Sequence, residues 1–223
     1  MKRWVTVGCL LLTALLILGG ALLFDDRAVV WVTLCGTVLS VVPFAVSFEK
    51  GDPSAVRTVL LSVMVALSVL GRGAFAAVPF CKPVAAVTVL CGMYLGTEAG
   101  VLCGALSALL SAMMFEMGPW VPFQMLAWGL CGLLGGLTAR WTRLFRLLLV
   151  PVGIVCGVLF SAVMDVWTVI SIDNGFRLTR YAAALTASLP MTVTYAVSNA
   201  VFLLVLCVPF RRAMDRLHTK YGL

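Results

Sequence analysis

Apolar runs long enough to cross a bilayer recur from one end of this chain to the other, and they leave it few ways to fold. A spanning helix needs about 20 mainly apolar residues, and in hydrocarbon all its backbone polar groups must be satisfied within the segment. Six runs meet that length outright: 4–24, 28–48, 55–77, 121–139, 147–170 and 185–209. The first follows Lys2 and Arg3 as a signal peptide would. Its apolar stretch is too long for one and lacks a small-residue cleavage site, so it is expected to stay as an anchor. Between the second and third runs, residues 49–54 make a polar break in which Asp52 can cap the next helix and Pro53 suits its first turn. Only 11% of the residues are charged, and the mean hydropathy is +1.11. A soluble domain carries about a quarter charged residues. The expected fold is therefore an all-α integral membrane protein, a polytopic helical bundle.

Residues 83–115 are a further apolar stretch. As one helix it would run about 50 Å, well beyond a hydrocarbon core of about 30 Å. Thr97-Glu98 near its middle offers a polar reversal, which makes two short helices and eight in total. Charge placement supports that number. With eight helices and a cytoplasmic N-terminus, the inside carries Lys2, Arg3, Lys50, Arg57, Arg140, Arg143, Arg146, Arg211, Arg212, Arg216 and Lys220. The outside carries Arg27, Arg72, Lys82, Arg177 and Arg180. That eleven-to-five split is better than a seven-helix reading achieves. Both termini are then cytoplasmic.

Several functions are excluded or disfavoured. The +7 charge lies in short clusters between spans, as membrane orientation requires, so nucleic acid is not the expected partner. No GxxxxGK[ST] loop exists to bind ATP. The eight cysteines include no CxxC pair and read as small core residues, without a metal or disulfide role. The one histidine, His218, lies in the basic tail, so Ser107 has no base to activate it and no catalysis or cofactor is expected.

Small residues recur every four positions at Gly92, Gly96, Gly100 and Gly104, at Gly132 and Gly136, and at Gly153, Gly157 and Ser161. In lipid such stripes let helix backbones approach closely. Three connectors on the expected outer side gather the polar and aromatic groups. Residues 71–83 carry Arg72, Phe75, Phe80 and Lys82; residues 115–124 carry Trp120 between Pro119 and Pro122, then Gln124; residues 171–181 carry Asp173, Arg177, Arg180 and Tyr181. They are read either as a roof over a cavity between helix ends or as an interfacial aromatic belt with solvated charges. Asp165 is the one acid deep in a run, on the Gly153–Gly157 face, and a functional candidate by default; the alternative is a structural hydrogen bond. Trp128, Tyr195 and Asn199 are further inward candidates.

Residues 55–209 resemble the substrate-binding S component of energy-coupling factor (ECF) transporters. The resemblance rests on residues 71–83, on the run 92–108 and, most specifically, on Gly118-Pro-Trp-Val-Pro-Phe-Gln-Met-Leu-Ala-Trp-Gly129. It implies a six-helix core preceded by two extra N-terminal transmembrane helices, which looks like the subgroup of cobalamin-type S components. The domains expected are an N-terminal hairpin over 1–50, a substrate-binding core over 51–210 and a basic cytoplasmic tail over 211–223. The implied role is capture of a vitamin, with a cobalamin-like corrinoid as the leading ligand, in a bacterial cell membrane. Uptake would be driven by separate partners, a transmembrane scaffold subunit and two ABC ATPases. The residues expected to bind substrate are Arg72, Phe75, Lys82, Trp120, Gln124, Trp128, Asp165 and Asn199. Relatives meet the scaffold through an AxxxA pattern on the first core helix, here Ser62 and Ala66. The competing reading is a stand-alone ion-coupled secondary transporter that uses Asp165.

Overall fold

The computed structural model describes residues 55–115, 117–139, 145–173 and 175–221, with isolated helical positions between Cys35 and Glu49. The expected span 4–24 lies outside the described residues, as does most of 28–48. Among the described residues the secondary structure is helical throughout: α1 (Ala55–Ala74), α2 (Val84–Leu95), α3 (Thr97–Phe115), α4 (Val121–Thr138), α5 (Phe145–Asp173), α6 (Leu178–Ala187) and α7 (Leu189–Tyr221). Five of these, α1, α3, α4, α5 and α7, contain stretches long and apolar enough to cross a membrane. The chain is a multi-pass membrane protein.

Residues 83–115 split into two helices, as their length requires. The break falls at Gly96, whose φ of +95° is open to glycine at no steric cost. Arg57 of α1 pins this turn. Its Nη2 donates to the Leu95 carbonyl at 2.9 Å and lies 3.8 Å from the Glu98 carboxylate, while its guanidinium sits 4.9 Å over the Phe48 ring.

Helices α2 and α3 are apolar on every side and mostly buried, as suits helices surrounded by others. Helix α4 packs on both. The glycine stripes are the surfaces on which they meet. A methyl group at Gly100 would stand 2.6 Å from the Gly132 carbonyl oxygen, and one at Gly92 would stand 2.8 Å from the Gly136 nitrogen. Three backbones thus converge where larger side chains would hold them apart. A second close pair forms between α5 and α7, with Gly153 against Ala200 and Gly157 against Ala196.

Two boundaries differ from expectation. Residues 185–209 do not form one span. Helix α6 ends at Ala187, Ser188 makes a turn, and α7 starts at Leu189 with Pro190 in its first turn, where a missing N–H costs nothing. Nor does the chain leave helix at the basic segment, because α7 continues through Tyr221. The third connector is correspondingly short, since α5 reaches Asp173 and α6 begins at Leu178. Helix α6 buries no residue. Polar contacts hold it to α5: Tyr181 Oη donates to the Ala162 carbonyl at 3.1 Å, and Arg180 pairs with Asp173 at 3.1 Å.

Candidate functional site

At the end of the bundle away from the Gly96 turn, α1, α2, α4, α5 and α7 enclose a cavity of about 50 Å³. It is lined by Arg72, Lys82, Val84, Ala85, Gln124, Trp128, Phe160, Tyr195 and Asn199. Each side chain arrives for a local reason. Arg72 stands in the last turn of α1. The connector then folds back on itself through the bonds Ala76 N to Gly73 O at 3.0 Å and Val78 N to Phe75 O at 3.1 Å. Gly71 makes room for the returning chain, for a Cβ there would stand 2.6 Å from Pro83 Cγ. Gln124 and Trp128 are one helical turn apart on α4, whose start is set by Pro122 in its first turn.

Arg72 links three helices. Its Nη1 donates to Ser111 Oγ of α3 at 2.6 Å and to Gln124 Oε1 of α4 at 3.4 Å, and its guanidinium lies 5.1 Å from the Trp128 ring centroid. Such a cation over an indole face is favourable by about 0.5–2 kcal/mol, more as water is excluded. Lys82 is the second cation at the cavity. Its partial burial, and then the Arg72 charge beside it, hold its ammonium below the usual lysine range.

The rest of the lining is largely aromatic. Trp128 stacks on Phe160 with centroids 5.5 Å apart and planes at 17°. Phe160 packs on Tyr195 at 4.8 Å, and Tyr195 takes the edge of Phe80 at 5.7 Å. Phe80 holds a φ of +56°, a left-handed conformation that is costly for a bulky residue. Ser198 Oγ donates to its carbonyl at 3.4 Å, tying the connector to α7. Two cations and a stack of rings, joined where Arg72 lies over Trp128, put charged donors and aromatic surface side by side, the chemistry that a flat, polar-edged molecule calls for.

Of the residues singled out from sequence, Arg72, Lys82, Gln124, Trp128 and Asn199 come together at this cavity, and Tyr195 joins them. Phe75, Trp120 and Asp165 stand elsewhere. Phe75 packs edge-on against Phe202 at 5.0 Å. Trp120 lies at the start of α4 with its ring over Gly118. Asp165 is buried at 7% exposure in a polar cluster between α5 and the α6–α7 junction. There Ser188 Oγ donates to Asp165 Oδ2 at 2.6 Å, and Ser161 and Thr192 share a hydrogen bond of 2.6 Å. Sequence reasoning missed Phe160 and Ser111. Phe160 carried one faint signal, its place beside Ser161 on the small-residue face of α5. Ser111 carried another, falling four residues after Ser107 on a helix with few polar groups.

Neither the curated proteins nor the solved structures gave a match to this chain. The family model described as the S component of the ECF-type riboflavin transporter matches residues 53–214, more than two-thirds of the sequence. That range holds α1 to α6, all but the last turns of α7, and every residue that lines the cavity. The chain belongs to the family of ECF-type riboflavin transporter S components.

Proposed function

We propose that this protein captures riboflavin, or a flavin close to it, in the cavity lined by Arg72, Lys82 and the Trp128–Phe160 stack. The observation that carries the reading is this pairing of a stacked aromatic wall with two cations and two amides, within a chain matched by the riboflavin S-component model. A flavin has a planar ring system that stacks and a polar rim that accepts hydrogen bonds from Arg72, Lys82, Gln124 and Asn199. The match favours a flavin over the corrinoid expected from the resemblance, and so does the cavity, built around one pair of parallel rings. Pockets that bury a drug-sized ligand measure about 300–1,000 Å³, so in this reading the cavity of about 50 Å³ widens on capture.

ECF S components bind a vitamin and work with a transmembrane scaffold and ATPase subunits. In this reading Ser62 and Ala66 meet the scaffold. Both are exposed on α1, on a face shared with exposed Val59, Val63 and Leu70. The eleven-to-five charge split supports cytoplasmic termini and a cavity that opens outward, with an N-terminal helical hairpin ahead of six membrane-crossing helices and eight crossings in all, the short α6 not counted among them. Geometry does not favour the ion-coupled reading. The Asp165 carboxylate is engaged by Ser188 and is not part of the cavity lining.

The test is mass spectrometry of the small molecule retained when tagged protein is purified gently from its native host. A flavin, together with a co-purified scaffold and ATPases, is the expected result. Retention of a corrinoid, or transport by the isolated chain without partners, would overturn the reading.

A further inference from the structure

Ser68 Oγ and Ser107 Oγ are buried side-chain atoms without a hydrogen-bond partner among the described residues. The residues are 0% and 1% exposed. Other hydroxyls in the bundle bond back to a carbonyl of their own helix: Ser62 to Thr58, Thr88 to Ala85, Ser111 to Ala108 and Thr138 to Leu134. Ser68 and Ser107 do not. A buried hydroxyl left unmet is costly, and each such group in a native structure needs an explanation.

Their register supplies one. Arg72 of α1 bonds Ser111 of α3, so these two residues mark one level where the helices face each other. Ser68 and Ser107 each lie four residues earlier, hence one turn deeper on the same faces. Helix α2 reaches the same depth at buried Thr88, one turn below Val84 and Ala85 of the cavity wall. Three buried hydroxyls from three helices therefore lie beneath the Arg72 side of the cavity, and two of them are unmet.

We propose that the cavity continues inward past Arg72 as a hydroxyl-binding slot between α1 and α3, and that Ser68 and Ser107 receive the polyol chain of the substrate. The inference rests on the flavin reading and deepens it: the ring system stays at the Trp128–Phe160 stack while its sugar-alcohol chain enters the slot. A polyol fits because each of its hydroxyls both donates and accepts, as serine does, and brings no charge into a buried site. An anionic tail would have to give up the Arg72 and Lys82 charges to go deeper.

The experiment compares riboflavin with lumiflavin, which has the same ring system and a methyl group in place of the polyol. Full-length wild type and the Ser68→Ala/Ser107→Ala double variant are titrated with each by flavin fluorescence, and their ligand-free melting is recorded. The variant should bind riboflavin about tenfold more weakly, the loss of two ordinary hydrogen bonds, and lumiflavin within about twofold of wild type. Its ligand-free melting temperature should hold or rise, because two unmet polar groups are gone. Unchanged riboflavin affinity, equal losses for both ligands or a lower ligand-free melting temperature would overturn the slot. Wild type that binds both flavins equally would sink the slot and keep the flavin reading. Wild type that binds neither would remove both.

Discussion

Gly104 and Gly129 lie in the same α3–α4 interface, yet the structure assigns them opposite responses to the same added methyl group. A Cβ on Gly104 would stand 2.5 Å from Gly129 N and closer still to the Trp128 carbonyl, so it meets backbone that cannot rotate away. Carbon makes an unstrained contact at about 3.5 Å, so α4 would have to retreat by about 1 Å. A Cβ on Gly129 would meet Val101 Cγ1 and O at 3.5 Å, an ordinary contact. Either change to alanine gains up to about 1 kcal/mol of helix propensity. Gly104→Ala also incurs overpacking of about 3 kcal/mol, the upper end for a rigid neighbour. The two variants should thus differ by about 3 kcal/mol, on the order of 6–12 °C in melting temperature. The buried thiols of Cys91, Cys103, Cys131 and Cys156 make a thiol-reactive dye a direct reporter of unfolding. Because Trp128 and Gln124 ride on α4, Gly104→Ala should also weaken ligand binding while Gly129→Ala leaves it intact. Equal melting of the two variants, or a Gly129→Ala protein that is the less stable, would refute the close-approach reasoning.

Three further outcomes follow from named groups. The Lys82 pKa is lowered in the fold, so between that value and 10.5 the unfolded chain holds more protons and ligand-free stability rises with pH; Lys82→Met should be the more stable protein at neutral pH, its advantage shrinking as pH-stepped melts approach 10.5, whereas a constant gap would contradict the burial. Ser62→Leu with Ala66→Leu fills an exposed, close-packing face, so vitamin uptake in cells should fall at least about tenfold while binding to the purified subunit stays unchanged. Asp165→Asn keeps an acceptor for Ser188 and should hold uptake within about threefold of wild type; abolished uptake with intact folding would restore the ion-coupled reading.

The membrane class, the division of 83–115 and the close approach of small residues were legible because each follows from one-dimensional properties, length against bilayer thickness and small residues at helical spacing. The 92–104 series is nevertheless not one stripe, since Gly96 is the turn that puts Gly92 on α2 and Gly100 and Gly104 on α3. The start of α7 was not. The 185–209 run is long and mainly apolar enough to read as one span, although Pro190 suits a helix start; Ser188 at the break also reaches across to Asp165, a tertiary contact that spacing along the chain does not encode. Arg72, Lys82, Gln124, Trp128 and Asn199 could be named because charged, amide and indole groups stand out in an apolar sequence. Phe160 could not, since one phenylalanine in a run of apolar residues acquires meaning only when α4 brings Trp128 against it. Ser107 was noticed only as a serine without a base, and Ser111 stayed hidden for a related reason: α3 is apolar all round, so no amphipathic pattern marks which side of it faces α1. Asp165 stood out for the right physical reason, the cost of a carboxylate in lipid, and the structure meets that cost with the serine hydroxyl of Ser188.

Titrating the purified chain with riboflavin, with no scaffold or ATPase present, tests vitamin capture most directly. Quenching of flavin fluorescence that saturates at one ligand per chain, and is weakened about tenfold or more by Trp128→Ala, is the result expected of a ring held against that indole. Absence of quenching at saturating flavin, or a curve that Trp128→Ala leaves unchanged, would contradict it.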